Sequence, residues 1–169
     1  AGGIFSRMTI ASAHGLPGKV GVLKRNRPIL FATACGLVLA LPGLLSESTT
    51  YGTGYHEARS VLEGNGQVPV TYGILKLLAT VVSYASGVPG GLFSPSLAVG
   101  AGFGANIAEI MPYAPAGAVV LLGMVGYFAG LVQAPITSFV IVIEMTDNHQ
   151  LALPLMATAL LAAGTSRLI

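Results

Sequence analysis

Charge is what this chain has least of. Of its 169 residues, 8 are Lys or Arg and 6 are Asp or Glu, 8% in all. Ordinary soluble domains carry about 25% charged residues, so this composition excludes a water-covered globular surface. The few charges are also unevenly spread: none falls between Leu77 and Ala108, and none between Ile110 and Ile143. Both runs exceed the ~20 residues that one helical membrane span needs. A single cysteine, Cys35, excludes an internal disulfide, and its apolar neighbours suit a small packing residue. The net charge of +2 is too small to argue for nucleic acid. His14, His56 and His149 lack a second ligand at metal spacing, and no Ser-His-acid or Cys-His arrangement is suggested, so neither a metal centre nor an enzyme is expected.

What is present in quantity is apolar. Hydrophobic residues make up 53% of the chain and the mean hydropathy is +0.78, which reads as an integral, multi-pass membrane protein, in the inner or plasma membrane if bacterial. Shorter uncharged stretches at 28–46 and 148–166 add to the two long ones, and each stretch is long enough to cross or enter a bilayer once. Lys19, Lys24, Arg25 and Arg27 cluster ahead of an apolar segment, which places that loop in the cytoplasm. The chain starts without Met or a charged leader and stops just after an apolar stretch, so we expect a piece of a longer polytopic protein.

Proline and glycine divide the chain into short helices. A helix tail is expected near 4–13, a loop over 15–27, and a helix from Pro28 to Leu41 that stops at Pro42-Gly43. A Ser/Thr/Gly-rich connection precedes a short interfacial helix at 55–63, ended by Gly64-Asn65-Gly66. Further helices are expected over 70–84, 92–110, 116–132, 135–145 and 151–163. Lys76 is the one charge inside the 70–84 helix, and its long stem suits snorkelling to an interface better than facing the bundle. The fold class is therefore all-α, a polytopic bundle of tilted, Gly/Pro-broken and re-entrant helices of the kind that builds a site at the membrane midplane.

The glycines first suggest packing. Gly100-Ala-Gly102-Phe-Gly104-Ala105 fits a dinucleotide-binding pattern, but it follows a helix and no acid lies about twenty residues on. Small residues four apart, Gly100 with Gly104 and Gly126 with Gly130, let helices approach closely. Glu144 closes an uncharged run near a helix end, where a structural brace is favoured over proton transfer.

One stretch combines several anion-favouring features. In Ser86-Gly-Val-Pro-Gly-Gly-Leu-Phe-Ser-Pro-Ser-Leu97, Val88-Pro89 keeps the backbone extended, Gly90 and Gly91 remove side chains, and Pro95 suits a first helical turn. The amides of Leu92 and Phe93 then sit at a helix start, where unpaired N–H groups and the positive dipole end attract an anion. Phe93 would wall the site and lower its dielectric. On these residues alone two readings stay open: an anion site, or a Pro/Gly helix break with no ligand.

Gly91-Leu-Phe-Ser-Pro95 resembles the G-x-F-x-P motif of the CLC family of chloride channels and chloride/proton exchangers, with flanks Ser86 to Gly90 and Ser96 to Gly100 that look like that family too. A second block, Gln133-Ala-Pro-Ile-Thr137 with Ile143-Glu-Met-Thr-Asp-Asn148 and Leu153-Pro154, is similar to the stretch that follows in the family. The resemblance covers residues 1–169 as roughly the second half of a CLC membrane domain, with no soluble domain. It implies that chloride, the transported ligand and not a cofactor, is bound by the backbone amides of Leu92 and Phe93, supported by Gly90, Gly91, Ser94 and Pro95.

It also implies partners: the lipid bilayer, the N-terminal half of the same protein, and a second copy in a homodimer formed through helices near 136–144 and 151–163. The family's G-S-G-I-P and G-R-E-G-P segments and its closing tyrosine are absent, so about half of one anion site is expected here and the chain alone should not conduct. A chloride/proton antiporter is favoured over a passive voltage-gated-type channel. A non-transporting structural membrane subunit is the alternative from a different class.

Overall fold

Residue types set the helix boundaries closely. Proline opens helices cheaply because the first N–H of a helix has no partner to lose. In the computed structural model of the chain, α1 begins at Pro28 and runs to Leu45, α2 spans Tyr55–Leu62, and α3 spans Tyr72–Ala85. After them come α4 (Phe93–Ile110), α5 (Ala116–Val132), α6 (Pro135–Thr146), a 3-10 turn (His149–Leu151) and α7 (Ala152–Arg167). The structure describes residues 2–7, 26–45, 51–62, 69–87, 90–111, 113–146 and 149–168, and among these there is no strand. Of the expected features, the basic cluster at Lys19, Lys24 and Arg25, the Gly64-Asn65-Gly66 stop and the Val88-Pro89 extension lie outside the described residues.

Helix α5 is the centre of the bundle. It packs on α4, α7, α6 and α2, whereas α3 joins the bundle through α4, and α1 packs on α3. Its apolar surface runs right round: Val120, Leu121, Met124, Val125, Phe128 and Ala129 are all buried in one cluster with residues of α4, α6 and α7. A helix hydrophobic on every side belongs in an interior. The helical stretch at 2–7 docks on the same helix, with Phe5 and Tyr127 rings 6.0 Å apart.

The α4–α5 crossing depends on missing side chains. A Cβ at Gly104 would lie 2.7 Å from the Val120 Cα, and one at Gly123 would lie 2.7 Å from the Gly104 Cα. Backbone therefore meets backbone, as small residues spaced four apart allow. This accounts for Gly100-Ala-Gly102-Phe-Gly104-Ala105 without a nucleotide, since the run lies inside α4 against α5 and leads out of no strand.

Helix α5 ends at Gln133, which takes the left-handed conformation at φ 60°. Its side chain offsets the strain by donating to the Gly130 carbonyl at 3.0 Å and accepting from Arg167 Nε at 3.2 Å. The chain thus turns into α6 and is tied to the end of α7.

Two expectations are corrected. Helix α1 continues through Pro42-Gly43 to Leu45. Gly43 lies against the Tyr51 ring, so packing holds the final turn where local propensity would end it. Lys76 does not snorkel: it is 2% exposed, inside the bundle. As the proline and glycine breaks predict, each long uncharged run is cut in two, the first into α3 and α4, the second into α5 and α6. Among the described residues no helix is long and apolar enough to cross a membrane. Helices α1 and α4, at 18 residues each, are only about 27 Å long, against a hydrocarbon core of about 30 Å.

Candidate functional site

Helix α4 starts without a side-chain cap. Leu92 occupies its N-cap position, at φ −86° and ψ −17°, where Ser, Thr, Asp or Asn would usually supply an acceptor. The Leu92 carbonyl accepts the first helical bond from the Ser96 amide at 3.1 Å, and the Ser96 hydroxyl folds back onto the same carbonyl. Pro95 sits in the first turn with no N–H to satisfy. Among the described residues, the amides of Leu92, Phe93 and Ser94 have no backbone acceptor. Helices α5 and α7 also begin at uncapped residues, Pro115 and Leu151. Those two starts line a cavity of about 380 Å³ that no charged residue lines; what sets α4 apart is the buried lysine lining the cavity at its own start.

The start of α4 faces a cavity of about 190 Å³. Gly90, Gly91, Leu92 and Pro95 form one wall. The rest of the lining is Lys76, Thr80, Ser83 and Tyr84 of α3, Leu39 of α1 and the chain at Tyr51 and Gly52. Neither Gly90 nor Gly91 needs a positive φ. A Cβ at either would meet nothing within 4 Å, so their bareness leaves room in front of the helix start and does not serve a turn.

Gly90, Gly91, Leu92 and Pro95 thus all line the cavity. Ser94 faces another way and donates from its hydroxyl to the Thr53 carbonyl at 3.5 Å. The expectation for the Phe93 ring is corrected. It is absent from the cavity lining and turns edge-on to Phe128 of α5, at 5.2 Å and 88°. Edge-to-face contact and burial against α5 draw it there, so any contribution of Phe93 to the cavity comes from its backbone.

Sequence reasoning missed the rest of the lining. The Lys76 Nζ donates to the Gly52 carbonyl at 2.8 Å and to the Tyr51 carbonyl at 3.4 Å. Thr80 donates to the Lys76 carbonyl at 2.7 Å, leaving its hydroxyl oxygen as an acceptor. One signal pointed to this part of the lining: Lys76 is the only charge between Glu63 and Glu109. Glu144, by contrast, is an exposed residue of the last turns of α6 and is not among the residues lining the cavity.

A donor-rich helix start, a buried ammonium and little other charge can hold a small anion and shed its water. The family model described as "Voltage gated chloride channel" matches residues 1–167. A protein of Vibrio vulnificus strain YJ016 named H(+)/Cl(-) exchange transporter ClcA is 37% identical over 144 residues, covering 80% of this chain and 31% of that protein. A protein of Yersinia pestis with the same name is 35% identical over 139 residues, covering 78% of this chain and 28% of its own length. The chain thus spans under a third of the length of these curated relatives.

Proposed function

The chain belongs to the voltage-gated chloride channel family, and from that premise we propose that it is the second-half portion of a transmembrane chloride/proton antiporter. In this reading a dehydrated chloride rests at the amides of Leu92 and Phe93, with Gly90 and Gly91 leaving it space, and Ser94 and Pro95 holding the turn. The observation that carries the proposal is the uncapped start of α4 lining a cavity that the buried Lys76 also lines. Oriented amides hold the ion by dipoles, weakly enough to let it leave, which transport requires and tight binding prevents. Exchange is preferred to passive conduction because the named relatives are H(+)/Cl(-) exchange transporters. The chain's work is transport, and chloride is its cargo.

The rest of the protein is proposed on the same footing. The low charge, the apolar surface and the family support a location in a lipid bilayer, where the rest of a longer protein would pack against these short helices. Ile136 and Val140 of α6 and Leu153, Leu160 and Leu161 of α7 are exposed large apolar residues. They support a homodimer formed through these two helices.

The test is chloride-driven proton movement in vesicles containing the complete protein, alongside a Gly91→Val variant. We expect an inward chloride gradient to move protons in the wild type. In the variant, whose added side chain enters the open space before Leu92, chloride flux should fall at least about tenfold. Chloride flux without proton movement would instead establish a channel. Unchanged flux in a folded Gly91→Val protein would remove the site assignment and leave a structural role for the glycines.

A further inference from the structure

The site described above leaves one buried charge without a part in transport. The Lys76 side chain lines the cavity from α3, and its two described acceptors are carbonyls of the strap at residues 51–54. That strap is fixed at two further points. Ser94 donates to its Thr53 carbonyl. Gly54, at φ +75°, lies so close to α4 and α3 that a Cβ would stand 2.6 Å from the Ala98 Cβ and 2.9 Å from the Tyr72 hydroxyl. The strap is therefore clamped between the first turns of α4 and the Lys76 ammonium, and Tyr51 and Gly52 line the same cavity as Gly91 and Leu92.

Carbonyl oxygens at the wall of an anion cavity repel the ion. An ammonium that draws them to itself cancels their partial charge and adds a positive field, which the Glu57 carboxylate just beyond the strap offsets in part. Its own burial is tolerable because those carbonyls accept from it and Glu57 favours its charge. We infer that Lys76 is a positioning residue for the anion path: by holding the carbonyls of Tyr51 and Gly52, it makes the space before Leu92 present donors and a positive field to a small anion.

This inference rests on the chloride reading, so its test reads ion preference as well as rate. The complete protein is reconstituted as wild type, Lys76→Met, Lys76→Arg and Gly52→Ala. Chloride affinity is measured by calorimetry, and uptake of chloride is compared with that of nitrate. Lys76→Met should weaken chloride binding about tenfold, the loss expected for a charge-assisted contact, and should shrink the preference for chloride over nitrate. Lys76→Arg, which keeps a donor cation, should recover part of both.

Gly52→Ala covers the case in which Lys76→Met fails to fold. Gly52 has φ +64° and open space where its Cβ would stand, so the change disturbs the strap backbone without a clash. It should move affinity and preference in the same direction. Wild-type affinity and wild-type preference in a folded Lys76→Met or Gly52→Ala protein would overturn the inference while leaving the chloride site intact. A wild type that binds no chloride would instead remove the chloride reading, and the inference with it.

Discussion

At the scale of single residues, the site separates backbone from side chain. Leu92 and Phe93 are an unusual pair to begin a helix, since neither side chain can accept a hydrogen bond from the exposed amides. The proposed ligand takes that place. Phe93 is the informative position because its side chain and its amide do different jobs. Its half-exposed ring packs on Phe128, so Phe93→Ala should lower stability by about 1–2 kcal/mol, read from the denaturation midpoint of the purified protein. Chloride affinity should change less than about threefold, because the amide stays. A large loss of affinity without loss of stability would mean that the ring, and not the backbone, holds the ion. The residue pattern made this motif legible in the sequence. It did not show the destination of the Phe93 ring, because that is decided by Phe128, which is distant in sequence and fixed by the docking of α5.

At the scale of elements, most helices were legible because proline and glycine mark their ends. Pro28 and Pro135 open α1 and α6 as expected, and α5 occupies the expected 116–132. The departures come from tertiary packing, which local signals do not carry. Pro42-Gly43 reads as a stop, yet α1 continues because Tyr51 packs on its final turn. Lys76 reads as a snorkelling lysine, yet two carbonyls from a distant strap hold it inside.

The glycine pairs were legible as packing signals, and the structure ranks them. A Cβ at Gly104 runs into the Val120 backbone, whereas one at Gly126 would meet only the Thr158 methyl, at 3.3 Å. Gly104→Leu should therefore cost about 3 kcal/mol or prevent folding altogether, by forcing α4 and α5 apart. Gly126→Ala should stay within about 1 kcal/mol of wild type, because the end of one side chain can shift and a helical alanine is favoured over glycine. Thermal unfolding of the two variants side by side checks the ranking, and equal losses would contradict it.

At the scale of the whole molecule, the uncharged runs marked the chain as apolar, and proline and glycine marked where each run breaks. Each is folded into two helices, and none of the described helices crosses a membrane alone. This is the geometry expected where half-helices meet at an internal site and neighbouring protein shields their ends. The faces left open by the chain point outward from α1, α6 and α7, with Leu37, Leu41, Ile136, Leu160 and Leu161 among the exposed apolar residues. If α6 and α7 form the dimer contact, Leu160→Asp with Leu161→Asp should convert the complete protein in detergent from a dimer to a monomer by light scattering. An unchanged dimer would assign that face to lipid or to another part of the protein.

In the proposed transporter, a small anion rests on the backbone at the start of α4. Bromide, which can replace chloride and scatters anomalously, tests this placement most directly in crystals of the complete protein. An anomalous peak is expected within hydrogen-bonding reach of the Leu92 and Phe93 amides, facing the cavity that Gly91 and Lys76 line. A bromide peak elsewhere in the transport path, with none at the head of α4, would contradict it.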